Sequence, residues 1–367
     1  MSLRRIVLAP PAWLFGAVLR VRHALYGAGV LRSVRPTVPT IAIGNLALGG
    51  TGKTPMLELV LRTLAGTAPL ATLSRGYGRS GTGFHEVQAT DTFERAGDEP
   101  LQVKRKFPEA RVFVGADRVG AIERIQREVP GAKAVVLDDA LQHRRLDAGL
   151  NILLTTWQRP WCDDALFPAG RLRDLPSRRK AARIVVVTKC PALPSPEERK
   201  QWRERLRLSD AQELFFAGIQ YEEPRSAAGG RPSVAEGGLS TAPHGSIRGE
   251  TQPPIASCLL FTGIENPQPL LDHLQRSRRV EHIAFPDHHA FTHADLARIA
   301  HRYATFAPGP KTLVTTEKDA ARLGPCEGTP LEGLPLATIG MRAVILNEPE
   351  RFAQLIRDHV ATHPAHR

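Results

Sequence analysis

Residues 38–55 read VPTIAIGNLALGGTGKTP. The short apolar run at 38–43 predicts a buried strand. It leads into Gly44, Gly49, Gly50 and Gly52, and then into Lys53 and Thr54. The eight residues Ala47-Leu48-Gly49-Gly50-Thr51-Gly52-Lys53-Thr54 fit the phosphate-loop pattern GxxxxGK[ST], with Ala47 in place of the first glycine. Glycines let backbone N–H groups turn toward one centre, and the helix that follows points its positive end at the phosphates. Gly49, Gly50, Thr51 and Gly52 are therefore expected to form the cradle. Lys53 is expected to reach β- and γ-phosphates, and Thr54 to ligate Mg²⁺. Pro55 suits a first helical turn, where its missing N–H is not needed.

Strand-like runs recur at 40–43, 69–73, 111–114, 134–137, 151–154 and 183–187. Helical stretches such as 55–64 and 118–127 lie between them. Continuous apolar strands alternating with helices predict a doubly wound parallel sheet covered on both faces. A helix is expected at 194–206 and a short strand at 214–220. Residues 224–254 are rich in Gly, Pro and Ser and read as a linker or insertion. A second, smaller α/β unit follows, with strands at 257–262, 280–284 and 312–315 and helices at 267–275 and 294–301. Thr292 and Asp295 have the spacing of a capping box. No internal repeat is present. The expected domains are a helical segment at 1–35, a P-loop core at 36–210, a hinge and linker at 211–256, and a C-terminal α/β domain at 257–367.

At 367 residues the chain is long enough for two domains. Its formal charge of +12 favours polyanionic partners such as nucleic acid, anionic lipid or a phosphorylated substrate. No RNP, KH or zinc-finger pattern accompanies that charge, so nucleic acid is not the expected partner. Cys162, Cys190, Cys258 and Cys326 are far apart, which argues against a disulfide framework or a zinc site and for a reducing compartment. Near the N-terminus, Arg4 and Arg5 precede an apolar run that Pro10 and Pro11 interrupt and Arg20 and Arg22 end. The run is short for a membrane span. Residues 12–30 read as an interfacial helix with Trp13, Leu14, Phe15, Val18 and Leu19 on its apolar side, the alternative being a helix docked on the protein's own core.

Three further clusters carry chemistry. AVVLDDALQHRRL at 134–146 is an apolar strand ending in Asp138 and Asp139, the form of a Walker B site that holds Mg²⁺ directly or through water. His143 beside it reads as a structural or exposed histidine. AGDEP at 96–100 puts Asp98 and Glu99 in a turn. FPDHHAF at 285–291 puts Asp287, His288 and His289 at a strand's end. Adjacent histidines on a strand point apart, so a carboxylate with a histidine suits general-base work better than metal binding.

Together these stretches resemble the tetraacyldisaccharide 4'-kinase family, the lipid A 4'-kinases of Gram-negative bacteria. The matching segments are IGNLALGGTGKTP, LSRGYGR, GDEP, LDDALQHRRL, FPAGRLRDLP, VVVTKCP, FTGIENP, FPDHHAF and TTEKDAARL, in family order from about residue 40 to 323. The resemblance implies ATP- and Mg²⁺-dependent phosphorylation of the 4'-hydroxyl of a tetraacylated glucosamine disaccharide 1-phosphate, giving lipid IVA. It implies a P-loop core and a smaller C-terminal α/β domain joined by a two-stranded hinge. By motif, Asp98 would be the base, His288 its dyad partner, and Lys53 and Thr54 the ATP and Mg²⁺ residues. Asp138 and Asp139 would face the metal, with Glu99 and Arg118 assisting. The N-terminal helix would associate with the membrane, placing the enzyme peripherally on the cytoplasmic face of the inner membrane. Two positions depart from the family pattern: Ala140 stands where Gly is frequent, and Asp174 stands where Glu is expected. A P-loop switch protein is the rival reading, but in Thr188-Lys189-Cys190-Pro191 a proline stands where guanine recognition needs an aspartate.

Overall fold

The glycine loop leaves a strand at the centre of a nine-stranded sheet. The computed structural model describes residues 6–226, 257–306 and 308–363. They form two compact units, Met1–Gln220 with Met341–Arg367, and Tyr221–Gly340. Strands β1 (Thr40–Asn45), β2 (Leu70–Ser74), β3 (His85–Glu86), β4 (Arg111–Val114), β5 (Ala134–Asp138), β6 (Leu150–Thr156), β7 (Ile184–Thr188) and β8 (Glu213–Tyr221) build the first unit's sheet. Strands β9 (Arg225–Ser226), β10 (Ser257–Thr262), β11 (Arg279–Ala284), β12 (Thr312–Thr316) and β13 (Leu336–Ile339) build the second, and β14 (Met341–Ile345) returns to the first.

The large sheet has the order β14-β8-β7-β6-β1-β5-β2-β4-β3. The pairs along β8-β7-β6-β1-β5-β2-β4 are parallel, and both edges are antiparallel: the two-residue β3 runs against β4, and β14 runs against β8, with Leu346 N donating to Phe216 O at 2.8 Å. From β1 the chain passes to β2 on one side, and β6 later lies on the other side of β1. This reversal opens a crevice at the carboxyl ends of the strands, where such folds bind ligands. Every residue of β1, β5 and β7 is buried, as a sheet covered on both faces requires. One face packs Ala42, Leu73, Phe113, Ile122, Val135 and Leu137, and the other packs Leu46, Leu153, Trp161, Val185, Trp202 and Phe216. Each fully buried large apolar side chain contributes about 1.5–3 kcal/mol.

The smaller sheet has the order β11-β10-β12-β13-β9. Alternate residues of β10 serve its two faces: Leu259 and Phe261 join Leu296, Ile299 and Leu313, while Cys258 and Leu260 join Leu270, Leu274 and Val314. The expected capping box forms, with Thr292 and Asp295 exchanging bonds at the start of helix His293–Thr305.

Two expectations are corrected. Residues 341–367, placed by the sequence with the C-terminal domain, belong to the first unit as β14 and helix Pro349–Ala361. The N-terminal helix starts at Ala9 rather than after Pro11, because both prolines fit its first turn. It also has two apolar sides. Ala12, Gly16 and Leu19 are buried, while Trp13, Leu14, Val18 and Val21 are each more than half exposed. Gly16 permits this docking, since a Cβ there would stand 2.7 Å from Leu166 Cδ1. Among the described residues no helix is long and apolar enough to cross a membrane. Residues 227–254, most of the expected linker, lie outside the described residues.

Candidate active site

The phosphate loop is braced from three sides. Gly49 and Gly52 take φ of 104° and 83°, conformations open to glycine and strained for most other residues. Helix Lys53–Thr63 begins immediately after Gly52. Within the loop, Asn45 Nδ2 donates to Thr51 Oγ1 at 2.7 Å. From β7, the Thr188 hydroxyl lies 2.8 Å from the Thr51 carbonyl and 3.0 Å from that of Thr155. From behind, Ala47 bridges Leu172, and Arg173 N donates to Leu46 O at 2.9 Å. The FPAGRLRDLP motif is thus the backing of the glycine loop.

Register brings the two aspartates to that loop. Ile43 of β1 lies beside Asp138 of β5, and Asp139 N donates to Ile43 O at 2.9 Å. Asp139 turns back with φ of 52°. Its carboxylate pairs with Arg173, whose Nη1 donates to Oδ2 at 2.8 Å, and Lys53 Nζ lies 3.9 Å from its Oδ1. Burial would raise its pKa, but the Arg173 hydrogen bond and the charges of Lys53, Arg173 and Arg118 outweigh that and hold it below the usual range. Asp138 is the reverse case. Burial, followed by the neighbouring Glu99 charge, pushes its carboxyl up to about 7 against the pull of Lys53. Asp138 Oδ1 is buried and has no hydrogen-bond partner. Asp138 also lines a small cavity with Thr54, Ser74 and Glu99.

Asp98 is buried at the start of helix Asp98–Lys106. Gly97 before it has φ 88° and ψ 151°, and a Cβ there would stand 3.2 Å from the Tyr77 carbonyl and 3.3 Å from Gly76 Cα. The glycine therefore lets the GDEP turn press against the RGYG loop. The Asp98 carboxylate accepts from Glu99 N at 2.9 Å. Arg118 opens helix Arg118–Glu128 and is almost wholly buried. It donates to the Gly115 carbonyl, and burial lowers its pKa to about 10 against the charges of Asp138 and Asp139. His143 lies half-buried, its pKa lowered by burial and then by the Arg118, Arg75 and Arg22 charges. In one unit, then, the sequence-predicted Thr54, Glu99 and Asp138 line one cavity, Lys53 and Asp139 share an ion-pair network with Arg173, and Arg118 acts on both aspartates through its charge, while Asp98 starts the helix that carries Glu99 without lining that cavity.

His288 belongs to the second unit. It takes φ of 59°, and its N–H donates to Gly263 O at 3.2 Å. Arg322 Nη2 lies 3.2 Å from its Nδ1, and Lys318 Nζ lies 3.2 Å from its Nε2. Arg322 is itself pinned, donating to Gly263 O and to the fully buried Asp319, both at 2.9 Å. The TTEKDAARL motif is therefore the seat of His288. His289 points elsewhere, to Asp295 at 3.0 Å and onto the Phe285 ring.

Sequence reasoning missed Asn45 and Thr188 as loop braces and Arg173 as the partner of Asp139. Their only sequence signal is proximity to the motifs. The Asp174 departure also finds its meaning. Its Oδ1 lies 2.6 Å from His23 Nε2 of the N-terminal helix and accepts from Leu175 N at 2.8 Å.

A glycine loop between a central parallel strand and a helix, with paired aspartates on the adjacent strand, defines a P-loop NTPase-like phosphotransferase fold. A family model described as tetraacyldisaccharide-1-P 4'-kinase matches residues 4–361, and the chain belongs to that family. It is 42% identical over 318 residues to a tetraacyldisaccharide 4'-kinase of Bacteroides fragilis strain YCH46, covering 86% of this chain and 82% of the relative. It is 36% identical to the enzyme so named from Parabacteroides distasonis, covering 97% of this chain and 95% of the relative. A crystal structure of LpxK from Aquifex aeolicus in complex with ATP shares the fold, with a TM-score of 0.70 and 22% identity over 97% of this chain and 99% of that one.

Proposed function

We infer that this protein is an ATP-dependent kinase that transfers the γ-phosphoryl group to the 4'-hydroxyl of a tetraacylated glucosamine disaccharide 1-phosphate, giving lipid IVA. The observation that carries this reading is the buried Asp138, whose Oδ1 has no hydrogen-bond partner and which lines one cavity with Thr54 and Glu99 beside the Lys53 loop, in a chain of the 4'-kinase family. ATP binding is further supported by the ATP complex of the structural relative. The donor set suits Mg²⁺. Among the described residues no group of three or more His, Cys, Asp or Glu forms a metal cage, and Mg²⁺ with nucleotide uses one or two protein oxygens plus phosphates. Asp138 and Thr54 would hold the ion, which neutralises developing charge on the transferred group.

In this reading Gly49, Gly50, Thr51 and Gly52 bind phosphate through their N–H groups, and Lys53 follows the β/γ-phosphates. Asp139, held by Arg173, keeps Lys53 in place, while Arg118 balances charge. Asp98 accepts the proton of the sugar hydroxyl, and His288 from the second unit is its dyad partner. Glu99 shapes the acceptor side. The exposed Trp13, Leu14, Val18 and Val21 rest on the cytoplasmic face of the inner membrane, where the glycolipid lies.

The test is transfer of γ-³²P from ATP to the tetraacyldisaccharide 1-phosphate in detergent micelles. Labelled lipid is expected only with Mg²⁺, with a loss of at least about a hundredfold in Lys53→Ala. Asp98→Ala and His288→Ala should lose most turnover and retain ATP binding. Wild-type turnover in either variant removes that residue from the mechanism, and no labelled lipid from folded, ATP-binding wild type means a different acceptor.

A further inference from the structure

Helix Lys53–Thr63 carries Thr54, Glu58 and Arg62 at four-residue spacing, and helix Asp98–Lys106 carries Asp98, Gln102 and Lys106 at the same spacing. Such spacing puts each trio on one helical face. The two stripes meet at Glu58, whose side chain is fully buried. Its Oε1 accepts from Gln102 Nε2 at 3.0 Å, and its Oε2 lies 2.9 Å from Lys106 Nζ and 3.4 Å from Arg62 Nη1. One turn further on, the Arg62 guanidinium lies over the Phe107 ring, 5.9 Å from its centroid.

Stability is a weak reason for a carboxylate in that position. Desolvating an ion pair consumes most of what its attraction returns, and an apolar residue of similar volume often serves as well. Geometry offers a stronger reason. The bridge fixes the axial register of two helices that begin with Lys53 and Asp98. A helical turn rises about 5.4 Å, so Glu58 lies one turn in from Thr54, and Gln102 lies one turn in from Asp98. With the register set, both helices open on the cavity lined by Thr54, Glu99 and Asp138. A packing contact would tolerate sliding, whereas a carboxylate held by two donors from successive turns of the facing helix does not. In-line transfer needs donor and acceptor groups in near-attack geometry, and a displacement of about 1 Å costs about a hundredfold in rate.

We propose that Glu58 is a positioning residue for phosphoryl transfer: through Gln102 and Lys106 it holds the Asp98 helix in register with the phosphate-loop helix. The proposal rests on the reading of Asp98 as the base.

The experiment measures kcat at saturating ATP and lipid, and the equilibrium ATP affinity, for wild type, Glu58→Gln, Glu58→Gln/Lys106→Met, Asp98→Asn and Asp98→Asn/Glu58→Gln. Glu58→Gln is expected to lower kcat by tenfold to about a hundredfold while ATP affinity stays within about threefold. Lys106→Met removes the half-buried cation that has lost its Glu58 partner, so it should recover thermal stability without recovering kcat. In the Asp98→Asn background, Glu58→Gln should add little further loss, because two residues acting through one step are non-additive. A kcat that returns to wild type together with stability makes the bridge structural only and overturns the proposal. A large loss in Asp98→Asn beside wild-type turnover in Glu58→Gln overturns the proposal alone. Wild-type turnover in Asp98→Asn overturns the base assignment, and the bridge's catalytic role with it.

Discussion

Asp138 and Asp139 are neighbours with opposite electrostatics. Arg173 and Lys53 surround Asp139, while Asp138 faces a cavity and the Glu99 charge. The Asp138 carboxyl, at about 7, lies well above the value of about 3.9 for an unfolded chain. The folded state therefore binds that proton more tightly, and this group's ionisation destabilises the metal-free protein progressively as pH rises from about 4 to about 7. Asp138→Asn should thus raise the melting temperature of metal-free protein, more at pH 8 than at pH 5, while abolishing Mg²⁺-dependent transfer. Equal gains at both pH values, measured by calorimetry in the presence of chelator, contradict the assigned titration. The same linkage means that a bound cation and the Asp138 proton compete, so the Mg²⁺ requirement of turnover should rise below pH 7.

At the scale of elements, two short junctions determine where the chemistry sits. The turn at Gly97 occupies a region of φ and ψ that is essentially closed to other residues, and its Cα lies against the Gly76–Tyr77 backbone. Gly97→Ala should destabilise the protein by about 1–3 kcal/mol through backbone strain. It should also lower kcat, because relief of that strain moves Asp98. Unchanged stability in urea titration would mean that the turn relaxes without consequence. The second junction is His23–Asp174. It ties the N-terminal helix to the residue after Arg173, and Arg173 in turn holds Asp139 and Asn45. The shorter carboxylate reaches the helix through Oδ1, while its Oδ2 is buried without a hydrogen-bond partner.

At the scale of the whole molecule, we propose that charge and apolar exposure act together at an anionic membrane surface. The chain carries +12, and its first helix presents Trp13, Leu14, Val18 and Val21 to solvent. Binding to anionic vesicles should weaken steeply with salt, because screening shortens the reach of the basic surface. Trp13→Ser/Val18→Ser should reduce vesicle binding by at least about tenfold, two buried side chains being worth about 1.5–3 kcal/mol each. It should leave ATP affinity unchanged. Vesicle co-sedimentation equal to wild type would assign membrane contact to another surface.

The sequence by itself determined the parts whose signal is local. A strand, a glycine loop and a helix are specified by neighbouring residues, so residues 38–55 gave away the loop between strand and helix and the parallel sheet around it. The aspartate pair and the Thr292–Asp295 cap were legible for the same reason, whereas Asp98 and Glu99, expected in a turn, open the helix Asp98–Lys106. Tertiary structure alone decided what depends on distant segments meeting. Residues 341–345 lie one residue beyond β13, yet they join the other sheet, a choice made by packing and not by strand propensity. Arg173 reaches Asp139 only because the FPAGRLRDLP loop folds back along the glycine loop. Glu58, by its composition an ordinary exposed helix charge, becomes a buried bridge only because Gln102 and Lys106 arrive from a helix more than forty residues away. Local pattern encodes which groups can do chemistry; pairing across the sheet and between helices places them at bonding distance.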